Sequence, residues 1–164
     1  MSGRELTDLQ RAVLLLKTGE LTIPEKVWRK KGKLTKKEFE VIKRIPMQGA
    51  NLLRSINSLK PVIPIILHHH ERFDGRGYPQ GLKGEEIPIG ARIVSVVDSF
   101  VAMISKRTYR EAMTLDLALE EIQTNSGAQF DPTVVGCFLK VVRRKEIFDK
   151  LKATQRELAK DSPA

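Results

Sequence analysis

The chain has 164 residues, 41% hydrophobic and 30% charged, and a formal net charge of +9. This balance fits one globular domain with a short extension and excludes a disordered or low-complexity chain. No window approaches the roughly 18 apolar residues of a membrane span, and Met1-Ser2-Gly3-Arg4-Glu5 has no apolar run behind a basic end, so no secretion signal is expected.

Aromatic residues are only 5% of the chain, so Leu, Ile, Val and Met have to fill the core. Apolar spacing predicts a helix over residues 5 to 17, ending at Gly19. Leu21-Thr22-Ile23-Pro24 reads as a turn into a basic loop ending Lys31-Gly32-Lys33. Thr35 with Glu38 has capping-box spacing and opens a helix that stops near Pro46. Helices are expected next over residues 47 to 57 and from Pro61 to His70. Residues 71 to 88 hold Gly75, Gly77, Gly81 and Gly84 with Pro79 and Pro88, too many breakers for a simple connector, so this is read as a functional loop. A strongly buried helix spans Ile89 to Ile104. Thr114 caps another that ends near Gly127, and Asp131-Pro132 opens the last, which runs on into a basic tail, helical to Leu158. No run alternates with period two, so the fold class is all-α. The lone Cys137 lies in an apolar stretch and is expected to be an inert core residue; it cannot form an internal disulfide, which fits a reducing cytoplasm.

Positive charge gathers at Lys26, Arg29, Lys30, Lys31, Lys33, Lys36, Lys37, Lys43 and Arg44, and again at Lys140, Arg143, Arg144 and Lys145. These are either solvated helix faces or a surface for phosphate. A nucleic-acid-binding domain is the weakest reading, because no recognition module and no aromatic interleaving accompany the basic runs.

The 3 histidines are consecutive: His68, His69 and His70, at a helix end before the glycine-rich loop. Neighbours on a helix point about 100° apart, so three cannot face one spot, although two at a helix end can converge on a metal ion. A polar helix terminus is the plainer alternative, since His suits the negative end of the helix dipole.

The run His69-His70-Glu71-Arg72-Phe73-Asp74-Gly75-Arg76-Gly77-Tyr78-Pro79 closely resembles the signature of HD-GYP domains, which hydrolyse cyclic di-GMP. Ala91-Arg92-Ile93-Val94 through Asp98 resembles that family's buried helix with its acidic metal ligand. Arg107-Thr108-Tyr109-Arg110 resembles its Arg-Pro-Tyr-Arg turn, and Phe130-Asp131-Pro132 its entry to the last helix. The resemblance implies an HD-type bundle of about six or seven helices over residues 1–145, with 146–164 as a basic helical tail. It implies cytoplasmic second-messenger signalling and metal ligands at His69, His70 and Asp98. It places Lys30, Lys33, Tyr78, Arg107 and Arg110 near a nucleotide, and an interaction loop at Arg72, Asp74, Gly75, Gly77, Tyr78 and Pro79. Arg72, Asp74, Arg76 and Lys83 show no obvious local partners and either face a ligand or protein or, for Arg72 and Asp74, brace the loop, with Tyr78 buried as a plug.

The departures from the family are specific. Where it has a metal-binding His-Asp pair this chain has Leu16-Lys17, Glu20 replaces its lysine, and Ile45 replaces a further His before the proline aligned with Pro46. Three surviving ligands could hold one divalent ion (iron or manganese) weakly, not two ions ~3.5–4 Å apart. Lys17 either pairs with Asp98 in place of metal or pairs with Glu20 on its own helix. No residue is assigned a catalytic role. The leading reading is therefore a degenerate HD-GYP domain that binds a cyclic dinucleotide such as cyclic di-GMP, or a partner such as a diguanylate-cyclase domain. The second is an active metal-dependent phosphodiesterase. Helices that usually precede the HD pair are missing, so the Ala12-Val13-Leu14-Leu15-Leu16 run is expected to lie uncovered and to drive homodimer formation.

Overall fold

The computed structural model describes every residue except 29, 31, 107–110 and 161–164, with the side chains of 28, 156 and 158–160 also set aside. Among the described residues all regular structure is helical, and the one β contact is an isolated bridge between Ser126 and Phe130. The expected all-α class holds. No described helix is long and apolar enough to cross a membrane. The chain divides into two compact units, Met1–Ser95 and Val96–Ala164.

In the first unit, Ser2 caps α1 (Gly3–Leu15) through a capping box with Glu5. A 3-10 turn (Thr18–Thr22) and the short α2 (Glu25–Trp28) follow, where a plain turn and basic loop are expected from sequence. Thr35 and Glu38 form the anticipated capping box of α3 (Lys36–Lys43). α4 (Ile45–Leu53) carries Pro46 in its first turn, where a missing N–H costs nothing, and stops four residues short of the expected end. α5 (Ile63–His68) uses Pro64 in this way, leaving Pro61 ahead of the helix. The core joins Ala12 and Leu16 to Leu53, Val62, Ile65, Ile66 and Val94. Gly19 permits the close approach of the 3-10 turn to α4, since a Cβ there would lie 2.2 Å from the Ile45 carbonyl oxygen. The α1 run is thus not uncovered as a whole: Ala12 and Leu16 are core, whereas Val13 and Leu14 are 52% and 84% exposed. Helical periodicity explains the split, because residues 12 and 16 share one face and 13 and 14 do not.

α6 (Ile89–Ile104) passes from the first unit into the second. In the second unit Thr114 caps α7 (Leu115–Thr124), and the Asp131 side chain accepts from the Thr133 and Val134 amides to start α8 (Pro132–Val142). α8 stops at Arg143 and a separate α9 (Lys145–Lys160) follows, so the tail does not continue α8 as expected. Phe100 meets Phe138 edge-on at 5.1 Å, and Leu115, Leu119, Ile122, Val134 and Val135 are buried. The Gln155 amide donates to the carbonyls of Ile104 (3.1 Å) and Met113 (2.8 Å), tying α9 to the end of α6. Cys137 is exposed on α8, which corrects its assignment to the core; residues 134, 135 and 142 take the buried stripe instead.

Candidate functional site

The histidine run sits where α5 ends, and its three rings part company there. His69 is buried, and its Nδ1 lies 2.7 Å from the Ile66 carbonyl. A carbonyl only accepts, so Nδ1 carries the proton, which fixes the ring's orientation and turns Nε2 away from that bond. The His70 ring lies 4.0 Å from that of His69 and 5.1 Å from that of Tyr78. His68 turns elsewhere: it is buried, and its Nδ1 lies 3.6 Å from Glu71 Oε1 without a hydrogen bond. Two of the three imidazoles therefore converge, as the helix geometry allows.

The loop after them is built around two carboxylates. Glu71 has a fully buried side chain, and its oxygens accept from the Gln80 amide (2.7 Å) and the Gly81 amide (3.0 Å). Asp74 receives a two-pronged contact from Arg72, Nε to Oδ1 at 3.1 Å and Nη2 to Oδ2 at 2.9 Å. Arg76 adds its backbone amide (3.0 Å) and its guanidinium (2.8 Å) to the same carboxylate. The Arg72 bond first, and those from Arg76 with it, hold the Asp74 carboxyl well below the usual carboxylate range, against the opposing effect of burial. So Arg72, Asp74 and Arg76 do have local partners: Arg72 and Asp74 brace the loop, the second of the two alternatives, and Arg76 joins them. The Arg76 side chain is 77% exposed beyond these contacts. Gly77 lies flush against the Glu71–Arg72 backbone, where a Cβ would come within 2.2 Å of the Arg72 nitrogen. The Tyr78–Pro79 bond is cis, and Tyr78 is half-buried.

Lys30 pairs with Glu38 at 2.6 Å, and this bond, with those from Thr35, lowers the Glu38 pKa from 4.5 to about 2. Lys33 is exposed. Asp98 is half-buried on α6, in the second unit. Arg107 and Arg110 lie outside the described residues. Lys17, at the start of the 3-10 turn, approaches Glu20 within that turn at 3.6 Å.

These residues can be tested against a metal centre. His69 and His70 present the right chemistry for one side of a divalent ion. Among the described residues, however, no group of three or more His, Cys, Asp and Glu side chains could hold one. Leu16, at the position the resemblance gives to a ligand histidine, is 6% exposed and packed in the apolar core. The described residues do not fit a two-metal centre.

Comparison with known proteins settles the family. A family model described as "HD domain" matches residues 1–134. The chain belongs to the HD domain family. Within it, this HD-GYP chain is 44% identical to a cyclic di-GMP phosphodiesterase of Thermotoga maritima, over 91% of this chain and 40% of that protein. It is 45% identical to the cyclic di-GMP phosphodiesterase response regulator RpfG of Xanthomonas campestris pv. campestris, over 85% of this chain and 38% of that one. The chain thus spans about two-fifths of the length of these curated relatives. Its fold matches a crystal structure of a cyclic GMP-AMP specific phosphodiesterase of V. cholerae, with a TM-score of 0.71 at 22% identity, covering 100% of this chain and 45% of that one.

Sequence reasoning assigned no role to Glu71 or Gln155. The signal for Glu71 was present: an acid directly before a glycine-rich turn has backbone amides within reach to accept from. Gln155 gave no signal, because its partners are carbonyls more than forty residues away.

Proposed function

We propose that this HD-GYP domain recognises cyclic di-GMP, or a related cyclic dinucleotide, through the loop from Glu71 to Pro88, and that its metal-dependent hydrolysis is lost or very slow. The observation that carries the reading is the contrast between Leu16 and the loop. Leu16 is sealed in the core where a metal ligand is expected, while the Gly77-Tyr78-Pro79 loop is fully braced by Glu71 and Asp74. Burying a leucine contributes about 1.5–3 kcal/mol and leaves no lone pair for a cation. On this reading the exposed Arg76 guanidinium supplies a planar contact to phosphate, and Tyr78 supplies a face for a base. A signalling partner such as a diguanylate-cyclase domain would meet the same surface, and such a domain would work in the cytoplasm.

The test is metal analysis of the purified chain together with cyclic di-GMP binding and turnover. Micromolar binding, little metal and no turnover is the expected result. Steady hydrolysis with added manganese or iron, abolished by His69→Ala, would overturn it. That outcome is the second reading, an active phosphodiesterase. It is favoured by the His69 ring, whose Nδ1 is held by Ile66 in the manner of a metal-ligating imidazole.

A further inference from the structure

A buried carboxylate is costly unless its oxygens are satisfied, and one that is retained in a small loop has a geometric task. Glu71 is such a group. Its side chain has no exposure, and its two oxygens take the amides of Gln80 and Gly81, nine and ten residues further on. The side chain therefore spans the chord of the loop and fixes where the chain returns. Tyr78 sits just inside that chord. Its amide donates to the His70 carbonyl at 3.3 Å, and its ring lies 5.1 Å from the His70 ring, which in turn lies 4.0 Å from that of His69. Gly77, pressed against the Glu71 backbone, leaves no slack between anchor and ring. Behind the carboxylate stands His68, buried, with Nδ1 3.6 Å from Oε1.

We propose that Glu71 is a positioning residue for ligand recognition: by holding the Gln80 and Gly81 amides it fixes Tyr78 against His70 and so sets the binding face of the loop. The carboxylate itself touches no ligand; it acts through Tyr78 and His70. This role rests on the recognition reading above, but the placement of Tyr78 can be tested without ligand. Glu71→Gln keeps the volume, yet offers one acceptor and one donor to two N–H donors, so one of the two amides loses its bond.

The experiment uses the full chain as wild type, Glu71→Gln and Val62→Ala, the last a fully buried position of the apolar core with no contact to the Glu71 anchor among the described bonds. Three quantities are read: the melting temperature, the ring-current shift that Tyr78 imposes on the His70 side-chain protons, and the affinity for cyclic di-GMP by calorimetry. For Glu71→Gln the expected result is loss of the His70 shift and at least a tenfold weaker affinity. Val62→Ala is expected to melt lower while keeping both. An unchanged His70 shift in Glu71→Gln overturns the proposal, as does a Val62→Ala protein that loses shift and affinity in the same proportion to its melting temperature. If wild type does not bind cyclic di-GMP, the recognition reading fails, and the His70 shift alone still decides whether Glu71 places Tyr78.

Discussion

Alanine at Gly77 would place a methyl group 2.2 Å from the Arg72 nitrogen and 2.5 Å from the Glu71 Cα, where 3.4 Å begins ordinary contact. Those neighbours are backbone, so no side chain can swing aside, and the loop has to open by about 1 Å. The bond from the Tyr78 amide to the His70 carbonyl, already 3.3 Å long, cannot survive that displacement. Overpacking of this kind costs about 1–3 kcal/mol, and the lost hydrogen bond adds about 1 kcal/mol. Together they predict a loss of about 2–4 kcal/mol, or roughly 5–15 °C in melting temperature for a chain of this size. The control is Gly136→Ala on α8, where a Cβ meets nothing within 4 Å. There, alanine should be neutral or stabilise by about 0.5–1 kcal/mol through helix propensity alone. Thermal melts followed by circular dichroism read both. A Gly77→Ala protein melting within about 1 °C of the parent would refute the steric reasoning. So would a Gly136→Ala protein that loses as much.

Tyr78 is half-buried, so Tyr78→Ala should cost about 1–2 kcal/mol, less than the ~3–5 of an emptied aromatic site, while weakening cyclic di-GMP binding at least tenfold by calorimetry; a larger loss of stability with unchanged affinity would make the ring a plug. Gln155→Ala removes two amide bonds and should destabilise the second unit by about 1–2 kcal/mol, seen as faster amide hydrogen exchange in α6 and α7. Unchanged exchange would mean that α9 is held by its apolar face alone. Because the Glu38 pKa is depressed, its contribution is fully present above the ordinary value of 4.5 and fades as pH falls through about 2. Carboxyl titration by NMR should therefore place Glu38 near that lower value and move it upward in Lys30→Ala, and an unmoved midpoint would remove Lys30 as the main cause.

Much of the fold was legible because its signals are local. The Thr35–Glu38 capping box, the Thr114 cap and the Asp131-Pro132 start each lie within four residues of the helix they open, and each is seen as expected. The misses arise where distant packing decides. α4 ends at Leu53 and α8 ends at Val142 with no breaker residue to announce either stop. Cys137 belongs to a run apolar enough to be core on any face. Only the packing of α8 within its unit shows that Val134, Val135 and Val142 take the inside.

The site shows the same division at smaller scale. Residue type alone does not tell three histidines in a row apart; the family resemblance singles out His69 and His70, and only their directions in the fold distinguish them physically. The fold supplies direction through acceptors. The Ile66 carbonyl claims His69 Nδ1, Tyr78 lies against His70, and Glu71 stands beside His68. Two of these three neighbours belong to the loop itself, so the loop and the imidazoles order one another. That mutual dependence gives the Leu16 substitution its weight. On the proposed reading, Leu16 stands just after α1 where a ligand is expected, and it takes part in none of the contacts from Glu71 to Gln80 and Gly81 or from Tyr78 to His70 that shape the loop. On that reading, a recognition surface whose bracing contacts lie within one segment persists where a metal centre, with ligands drawn from several helices, does not.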